Sequence, residues 1–250
     1  MIKYDYVSPG PVADQYLLSD AFITGIRGPI GSGKTVASVM KCLDISSRQP
    51  IQLDGRRYSR GAIIRNTYPE LVTTTMKSWH QWVPKSIGNW RGSGPPTHHI
   101  VDDKLDMEVM FVSLDRPDDL AKVLGMELTW AWGNEARELG KTLIDGLTGR
   151  VGRFKPPKAV MTEGYQCVDS CILLDTNSPE IDHWWYVLAE EDTTTQRNAE
   201  LIQSVREAEA ELRAAGVLRA DQPLFRFLAQ PDANSPDAEN LQNLPHGYYA

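Results

Sequence analysis

The sequence predicts an α/β fold with a mostly parallel central sheet flanked by helices. Two observations predict it. Short apolar runs alternate along the chain with segments of helical spacing, and a Gly-rich turn joins the first apolar run to the first helix. The length of 250 residues is enough for one large domain or two small ones. The sequence contains no repeat with a period of about 20–50 residues, so a solenoid fold is not expected.

The predicted strands are short runs rich in apolar and β-branched residues. The first, Ala21–Arg27, precedes the Gly-rich turn, and the helix after this turn is predicted to extend to about Ser46. The remaining strands are predicted at Gly61–Arg65, Leu105–Leu114, Leu128–Gly133, Cys171–Asp175 and Leu224–Leu228.

The predicted helices have apolar residues that recur at helical spacing, as Met76, Trp79, Trp82 and Val83 do within Thr73–Val83. The other helices are predicted at Pro117–Leu124, Leu139–Leu147, Ile181–Glu190 and Thr193–Ala215. The last has an apolar face made of Leu201, Ile202, Val205, Ala208 and Leu212. The segment Gly88–Asp103 is rich in Gly, Pro and His, so it is predicted as a loop that carries His98 and His99.

The composition excludes several function classes. The formal net charge is −7, which argues against a surface that binds nucleic acid throughout but leaves room for a local basic patch. The longest apolar runs are only a few residues, so no membrane span is expected, and the N-terminal residues lack the apolar region of a secretory signal. The three cysteines (Cys42, Cys167, Cys171) form no zinc pattern and are predicted to be reduced thiols.

A phosphate-binding loop is predicted between the first strand and the first helix. Its sequence, Gly28-Pro29-Ile30-Gly31-Ser32-Gly33-Lys34-Thr35, matches G-x-x-x-x-G-K-[ST]. The glycines let backbone N–H groups approach phosphate oxygens, and the N-terminus of the following helix favours negative charge. Lys34 adds a positive charge near the β- and γ-phosphates, and the Thr35 hydroxyl can ligate Mg²⁺. A base-reading N-K-x-D element typical of GTPases is not found in the sequence.

An acidic strand end is the second candidate site. The apolar run Leu128–Gly133 is followed by Asn134 and Glu135, where many P-loop ATPases carry Asp and then Glu. Glu135 is the candidate general base for an attacking water. Asn134 can contact Mg²⁺ through a water but supplies no charge. The alternative is that Glu135 only caps a helix or forms a salt bridge. Trp130 and Trp132 share one strand face and, with Trp184 and Trp185, are predicted core residues.

The motifs together resemble the ATPase domain of the large terminase subunit of tailed bacteriophages, over nearly the whole chain. One branch of that family carries Asn-Glu rather than Asp-Glu at the acidic strand end. The motifs that carry the resemblance are Tyr6-x-x-Pro9-Gly10-Pro11-x-x-x-Gln15, the phosphate loop, Ile64–Leu71, Trp130–Glu138, Gly149–Phe154, Asp175–Trp185 and Ala238–Tyr249.

The resemblance implies a P-loop NTPase fold of the additional-strand, catalytic-glutamate type, with ATP and Mg²⁺ as cofactors. Gln15 would contact adenine. Thr176 and Asn177 would form a coupling motif that senses the γ-phosphate, and Arg65 could link nucleotide state to the grip on DNA. For Thr176 and Asn177, ordinary turn chemistry is the alternative.

The resemblance also implies a domain plan. Residues 1–230 would form the ATPase domain, with residues 191–222 as a helical insertion or lid-like element. Residues 231–250 would form a tail or linker toward a nuclease domain that this chain does not contain, so no nuclease active site is expected in it.

The basic segment 150–158 is a further candidate. Arg150, Arg153, Lys155 and Lys158 occur in it without an acidic residue. Arg150 or Arg153 could act as a catalytic arginine in a neighbouring subunit, or the segment could face DNA; a solvated basic loop is the equal alternative. In the family the trans-acting arginine often lies shortly before the acidic strand, where this chain has only Lys122.

The predicted function is therefore Mg-ATP hydrolysis that drives double-stranded viral DNA into a procapsid. The implied partners are double-stranded DNA, the portal ring and the small terminase subunit. The protein would act in the host cytoplasm as a homo-oligomeric ring, monomeric in isolation, with no membrane partner. A helicase-like DNA-dependent ATPase and a weakly hydrolysing nucleotide-binding assembly module remain as alternatives. A small-molecule kinase is disfavoured because no acceptor site is apparent.

Overall fold

The structure, a computed structural model, describes residues 5–115, 117–189 and 196–229. The strands are β1 (Ile23–Arg27), β2 (Arg57–Arg65), β3 (Asn89–Arg91), β4 (Thr97–Val101), β5 (Leu105–Ser113), β6 (Trp130–Asn134), β7 (Cys171–Thr176) and β8 (Phe225–Ala229). The α-helices are α1 (Pro11–Leu18), α2 (Lys34–Arg48), α3 (Tyr68–Glu70), α4 (Met76–Trp82), α5 (Pro117–Leu124), α6 (Lys141–Thr148), α7 (Trp184–Ala189) and α8 (Gln196–Ala214).

Within these residues the eight strands form one sheet in the order β3-β4-β5-β2-β6-β7-β1-β8. β1 pairs in parallel with β7 and β8, β2 pairs in parallel with β5 and β6, and β6 pairs in parallel with β7. Among the strands of the described residues, antiparallel pairing joins β3 to β4 and β4 to β5 at one side of the sheet, and an isolated antiparallel bridge links Ile51 to Arg57. The predicted fold class, a mostly parallel α/β sheet flanked by helices, is confirmed.

The two faces of the sheet are covered by different helices. One apolar cluster joins Trp130 and Trp132 of β6 to buried residues of α1, α2 and α4. The other joins the opposite sheet face to buried residues of α5, α6, α7 and α8. Trp130, Trp132 and Trp185 are fully buried, as predicted, and Trp184 is partly buried. A Cβ at Gly61 would lie 2.1 Å from the Trp130 ring, so only glycine fits there.

The predicted loop Gly88–Asp103 is wrong, because this segment contains β3 and β4. His98 is fully buried rather than a loop residue. The Trp79 indole N–H donates to its Nδ1 (3.0 Å), and its Nε2 lies 2.6 Å from the Ile87 carbonyl oxygen. Both polar atoms of the ring are satisfied, so a polar residue fits in the core. Polarity alone therefore misled the prediction.

Several other elements differ at their ends. β2 begins at Arg57, before the predicted strand, because its first residues pair with Leu105 onward in β5. The helical segment predicted at Thr73–Val83 begins at Tyr68 and contains a π-helical turn, Leu71–Thr75. The helix α1 has no counterpart among the predicted elements.

The C-terminal predictions lie partly outside the described residues. α8 falls inside the predicted helix Thr193–Ala215, and Leu212 on its apolar face is buried. The side chains of Leu201 and Ile202 and the tail 231–250 are outside the described part of the chain. The domain limits and the lid-like role of residues 191–222 therefore stay predictions. None of the described helices has the length and apolar composition needed to cross a membrane.

Candidate active site

The carboxyl ends of four neighbouring strands meet at one edge of the sheet. The loop 28–33 follows β1, Asn134 closes β6, Thr176 closes β7 and Arg65 closes β2. Parallel pairing places these ends side by side, as the register of β6 with β7 and of β7 with β1 shows. The carboxyl edge of an open α/β sheet is where such folds bind ligands, so this edge is the candidate active site.

The loop between β1 and α2 has the backbone conformation expected for a phosphate cradle. Gly31 and Gly33 have φ angles of 81° and 82°, in the left-handed region that favours glycine. A Cβ at Gly33 would lie 2.8 Å from Cγ of Pro9, whereas one at Gly31 would meet nothing within 4 Å. Helix α2 begins at Lys34, directly after Gly33, so its free N–H groups face the loop. Ile30 is exposed at the loop tip.

The Lys34 side chain is held inside this loop. Its Nζ donates to the carbonyl oxygens of Gly28 (2.7 Å) and Pro29 (2.8 Å) and to Oδ1 of Asn177 (3.2 Å). Burial lowers the pKa of Lys34, and the negative charges of Asp175 and Glu135 oppose that shift. The amine thus lies at the position from which it can contact phosphate oxygens. Ser32 completes the loop, with Oγ 3.4 Å from the same nitrogen.

Glu135 lies just beyond β6 in a left-handed backbone conformation, with φ 54° and ψ 60°. This conformation costs a non-glycine residue about 1–3 kcal/mol and is typical of functional sites. Its carboxylate accepts hydrogen bonds from the backbone N–H (3.3 Å) and side-chain amide (3.2 Å) of Asn177. The Arg137 guanidinium Nε lies 3.8 Å from Oε2. Of the two alternative roles, the helix cap is not supported, since Glu135 makes no side-chain cap hydrogen bond. The Arg137 contact is a salt bridge of the kind that the alternative named, so the role of Glu135 as a base stays a prediction.

The two predicted coupling residues contact both parts of the site. Asn177 contacts Lys34 through its side-chain oxygen and Glu135 through its side-chain nitrogen. Thr176 is fully buried, its carbonyl oxygen accepts from Gly28 N–H (3.2 Å), and its hydroxyl oxygen accepts from Arg137 N–H (3.2 Å). These two residues therefore connect the phosphate loop to the candidate base.

Asn134, predicted to contact Mg²⁺ through water, has its amide committed to protein partners. Its Oδ1 accepts from the Thr75 hydroxyl (2.6 Å), and its Nδ2 donates to both carboxylate oxygens of Asp175 (2.9 and 3.1 Å). Thr35, the other predicted metal ligand, donates to Oδ2 of Asp175 (3.2 Å). Sequence reasoning assigned no role to Asp175 or Thr75. The one local sign was an aspartate at the end of the predicted strand Cys171–Asp175, directly before Thr176.

Arg65 is buried behind the acidic strand end. Its Nη1 donates to the Asn134 carbonyl oxygen (3.4 Å), and its guanidinium lies 3.6 Å from the Glu70 carboxylate and 3.4 Å from the Glu138 carboxylate. Burial raises the pKa of Glu138, while Arg65 acts in the opposite direction. Arg65 therefore joins β2 to the segment that carries Glu135.

Three predicted site residues lie apart from this centre. Gln15 is exposed on α1, where Nη2 of Arg226 donates to its side-chain oxygen at 3.5 Å, and its adenine contact stays a prediction. Arg150 and Arg153 form backbone hydrogen bonds with Leu128, which precedes β6. They therefore lie toward the amino edge of the sheet, opposite Glu135, and do not join the site of their own chain.

Arg150 and Arg153 line a surface cavity of about 460 Å³ together with Glu127 and Asp145. An arginine that acts in a neighbouring subunit has to lie away from the active site of its own chain. The position of Arg150 and Arg153 is therefore compatible with a catalytic role in a neighbouring subunit, which stays a prediction. Lys122, the other basic candidate, is paired with Asp119 at 2.8 Å.

The site fits a Mg²⁺ ion that arrives with a nucleotide. Among the described residues, no three His, Cys, Asp or Glu side chains converge as a metal site of their own. Nucleotide-bound Mg²⁺ keeps several waters and needs only one or two protein ligands beside the phosphates. The Thr35 hydroxyl lies beside the phosphate loop and would be an oxygen ligand of the required kind, and the Asp175 carboxylate lies against it.

The strand order, the loop geometry and the strand-end residues define a P-loop NTPase fold. Neither a protein-family model nor a curated protein sequence matches the chain. Among solved structures, the chain is similar to a large terminase from a thermophilic bacteriophage, with a TM-score of 0.54 and 10% identity over 92% of this chain and 48% of that one.

The same phage terminase was also solved with ligands. Its complex with ATP-gamma-S matches with a TM-score of 0.52 and 11% identity over 87% and 43% of the two chains. Its complex with ADP matches with a TM-score of 0.50 and 11% identity over 92% and 48%. The present chain thus spans about half the length of that terminase, and the predicted resemblance to a large terminase ATPase is confirmed at the level of the fold.

Proposed function

We propose that the chain is the ATPase part of a bacteriophage large terminase, which hydrolyses Mg-ATP to move double-stranded DNA into a procapsid. The observation that carries the proposal is the bridge that Asn177 forms between Lys34 and Glu135. Through this bridge, the phosphate-binding lysine and the candidate base share one hydrogen-bond partner. A motor that responds to its nucleotide needs such a contact, because it can transmit a change at the phosphates to the base. The thermophilic phage terminase, which shares the fold, was solved with ATP-gamma-S and with ADP.

In the proposed reaction the phosphate loop binds ATP and Glu135 activates water. The water oxygen attacks the γ-phosphorus, the bond to the β–γ bridging oxygen breaks, and the water proton passes to the Glu135 carboxylate. Mg²⁺ supplies positive charge at the phosphates. The Lys34 amine exchanges its carbonyl partners, Gly28 and Pro29, for phosphate oxygens. Asn177 orients the Glu135 carboxylate during this step.

The coupling proposal follows from the same contacts. When the γ-phosphate leaves, Lys34 and Asn177 lose a shared neighbour, and Asn177 transmits the change to Glu135 and, through Thr176, to Arg137. Arg65 extends the connection to β2 through the Asn134 carbonyl oxygen. Thr176, Asn177 and Arg65 are thus proposed as coupling residues, with Gln15 proposed as the adenine contact.

The DNA partner is proposed from the family and from the basic segment 150–158. Arg153, Lys155 and Lys158 are exposed, and the net charge of −7 confines favourable DNA contact to a local face of this kind. Homo-oligomeric ring assembly, the portal ring, the small terminase subunit and action in the host cytoplasm belong to the same proposal. Arg150 or Arg153 would then serve a neighbouring subunit.

Steady-state ATPase assays with and without double-stranded DNA, over a range of protein concentrations, test the proposal. Lys34→Ala and Glu135→Gln are expected to lower kcat at least about a hundredfold, since each removes a group used in the transition state. Lys77→Ala and Glu163→Gln, which alter exposed residues away from the site, serve as matched controls. A wild-type kcat in Glu135→Gln would show that Glu135 is not the general base.

The assembly-module alternative is favoured by one observation, the neutral Asn134 at the usual acidic position. It predicts nucleotide binding with little hydrolysis even when the protein is concentrated and DNA is present. A strand-separation assay in the same buffer distinguishes a helicase from a translocating motor.

A further inference from the structure

Asn134 and Asp175 are direct neighbours on adjacent parallel strands. They are register partners at the carboxyl ends of β6 and β7. In many P-loop ATPases, an acidic residue ends the strand that directly precedes the catalytic glutamate. In this chain that strand is β6, and it ends in Asn134. The acidic residue at this level of the sheet is instead Asp175, on the neighbouring strand β7.

The hydrogen bonds assign different tasks to the two side chains. The side-chain oxygen of Asn134, the only acceptor of that side chain, faces Thr75, and its N–H₂ group faces Asp175. Asn134 therefore presents a donor, not an acceptor, toward the phosphate-loop side. Asp175 accepts from the Trp132 indole N–H (3.1 Å) and the Glu135 backbone N–H (3.3 Å) as well.

The Asp175 carboxylate points at the residue that is the expected Mg²⁺ ligand. Its Oδ2 lies 3.2 Å from Oγ1 of Thr35, and only 1% of the Asp175 surface is exposed. Lys34 is bonded to loop carbonyls and Asn177, and Asp175 forms no ion pair with any Lys, Arg or His side chain that the structure describes. The positive charge of Lys34 acts on Asp175 without a direct ion pair. A buried carboxylate with no cation bonded to it is costly, and a divalent cation at Thr35 would supply a positive charge in direct contact.

We infer that Asp175 supplies the carboxylate that holds nucleotide-bound Mg²⁺, directly or through a metal-bound water, beside Thr35. Asn134 is a positioning residue that holds Asp175 by donating to its carboxylate. The acid and the amide have thus exchanged strands relative to the usual arrangement. This inference rests on the proposed function, since it takes the site to bind a Mg²⁺–nucleotide complex.

The exchange can be reversed by mutation. In the double variant Asn134→Asp/Asp175→Asn, the carboxylate at 134 accepts from Thr75 and from the new amide at 175, while the oxygen of that amide still accepts from Trp132. The pair keeps complementary donors and acceptors, so the double variant controls for misfolding in the single variant Asp175→Asn. Asp145→Asn, at an exposed aspartate paired with Lys141, is the matched control for an Asp-to-Asn change.

The experiment measures Mn²⁺ binding to the protein–ADP complex by electron paramagnetic resonance, and binding of a fluorescent ATP analogue with Mg²⁺ or with EDTA. Asp175→Asn is expected to weaken Mn²⁺ binding about 10–100-fold. It is also expected to reduce the effect of Mg²⁺ on nucleotide affinity correspondingly, with the affinity in EDTA unchanged. The double variant is expected to recover most of the Mn²⁺ affinity. The control is expected to match wild type.

Two results overturn the inference. If Asp175→Asn binds Mn²⁺ with wild-type affinity, the Asp175 carboxylate does not hold the metal. If the double variant folds but recovers none of the lost Mn²⁺ affinity, Asn134 and Asp175 have not exchanged roles. Failure of the proposed function looks different. If the wild-type chain binds no nucleotide in either buffer, the inference falls with the proposed function. If the wild-type chain binds nucleotide but does not hydrolyse it, the proposed function fails, whereas the Mn²⁺ affinity of Asp175→Asn still tests the inference.

Discussion

Asn177 holds Glu135 from two sides, with its backbone N–H donating to Oε2 at 3.3 Å and its side-chain amide donating to Oε1 at 3.2 Å. The side-chain oxygen of Asn177 meanwhile accepts from Lys34. The orientation of the candidate base therefore depends on a residue that also contacts the phosphate-binding lysine.

Asn177→Ala is expected to lower kcat about 10–100-fold with a smaller effect on KM. The variant leaves the backbone hydrogen bond in place but removes the amide that orients the Glu135 carboxylate, and small misplacements of catalytic groups are costly. Steady-state kinetics and direct nucleotide titration separate the two effects. Asn89→Ala, at an exposed position on β3, is the control. An unchanged kcat would show that the Asn177 side chain does not position the base.

Gly33→Ala is expected to destabilise the protein more than Gly31→Ala. Both positions have left-handed φ angles, which cost alanine about 1–2 kcal/mol. Only at Gly33 does the new Cβ also approach Pro9, at 2.8 Å. Urea unfolding measures the difference. The double variant Gly33→Ala/Pro9→Ala is expected to return to the level of Gly31→Ala, and equal destabilisation of the two single variants would contradict the Pro9 contact.

The stability of the fold is expected to fall as the pH drops below about 6.5, the ordinary pKa of histidine in an unfolded chain. Burial lowers the pKa of His98, and the pKa values of His80 and His183 are lowered as well, burial being the largest cause in each case. Below pH 6.5 the unfolded chain binds protons that the folded protein resists, so acid favours unfolding, by at most about 1.4 kcal/mol per pH unit for each group.

His98→Asn tests the contribution of the fully buried histidine. Asparagine can still accept from Trp79 but does not titrate, so the free energy of unfolding should depend less steeply on pH between about 5 and 7. His99→Asn, on the opposite face of β4, is the control for a His-to-Asn change, because the His99 side chain is partly exposed where that of His98 is buried. A pH dependence in His98→Asn as steep as in wild type would refute the role of His98.

Arg65→Gln is expected to cost more stability than Arg48→Gln. Each arginine contacts two carboxylates, but Arg65 is buried and Arg48 is exposed. Removal of Arg65 leaves Glu138 partly buried without its partner, for which a loss of about 1–3 kcal/mol is expected, whereas a surface pair contributes about 0–1 kcal/mol. Denaturant titration of both variants gives the comparison, and a loss in Arg48→Gln equal to that in Arg65→Gln would contradict it.

The part of the site that could be predicted consists of residues that are consecutive in the sequence. The loop 28–35 and the pair Asn134-Glu135 were located because their residue types and their order are dictated by local chemistry. The carboxylate partner of Thr35 and the hydroxyl partner of Asn134 come from β7 and from a π-helical turn. Those contacts depend on which strands are neighbours, and that order is not encoded by spacing along the chain.

The fold shows the same division. Alternating apolar runs and helical segments predicted the parallel sheet, but β3 and β4 were missed because a buried histidine and a short edge strand do not produce an apolar alternation. Burial of His98 required the distant indole of Trp79, which only the folded chain brings to it.

The left-handed backbone at Glu135 sets stability against function at one residue. A glycine there would relieve the backbone penalty but would lack the carboxylate. Selection of a random library for thermal stability alone is therefore expected to enrich glycine at position 135, and the most heat-resistant clones would be those that have lost the side chain on which turnover depends.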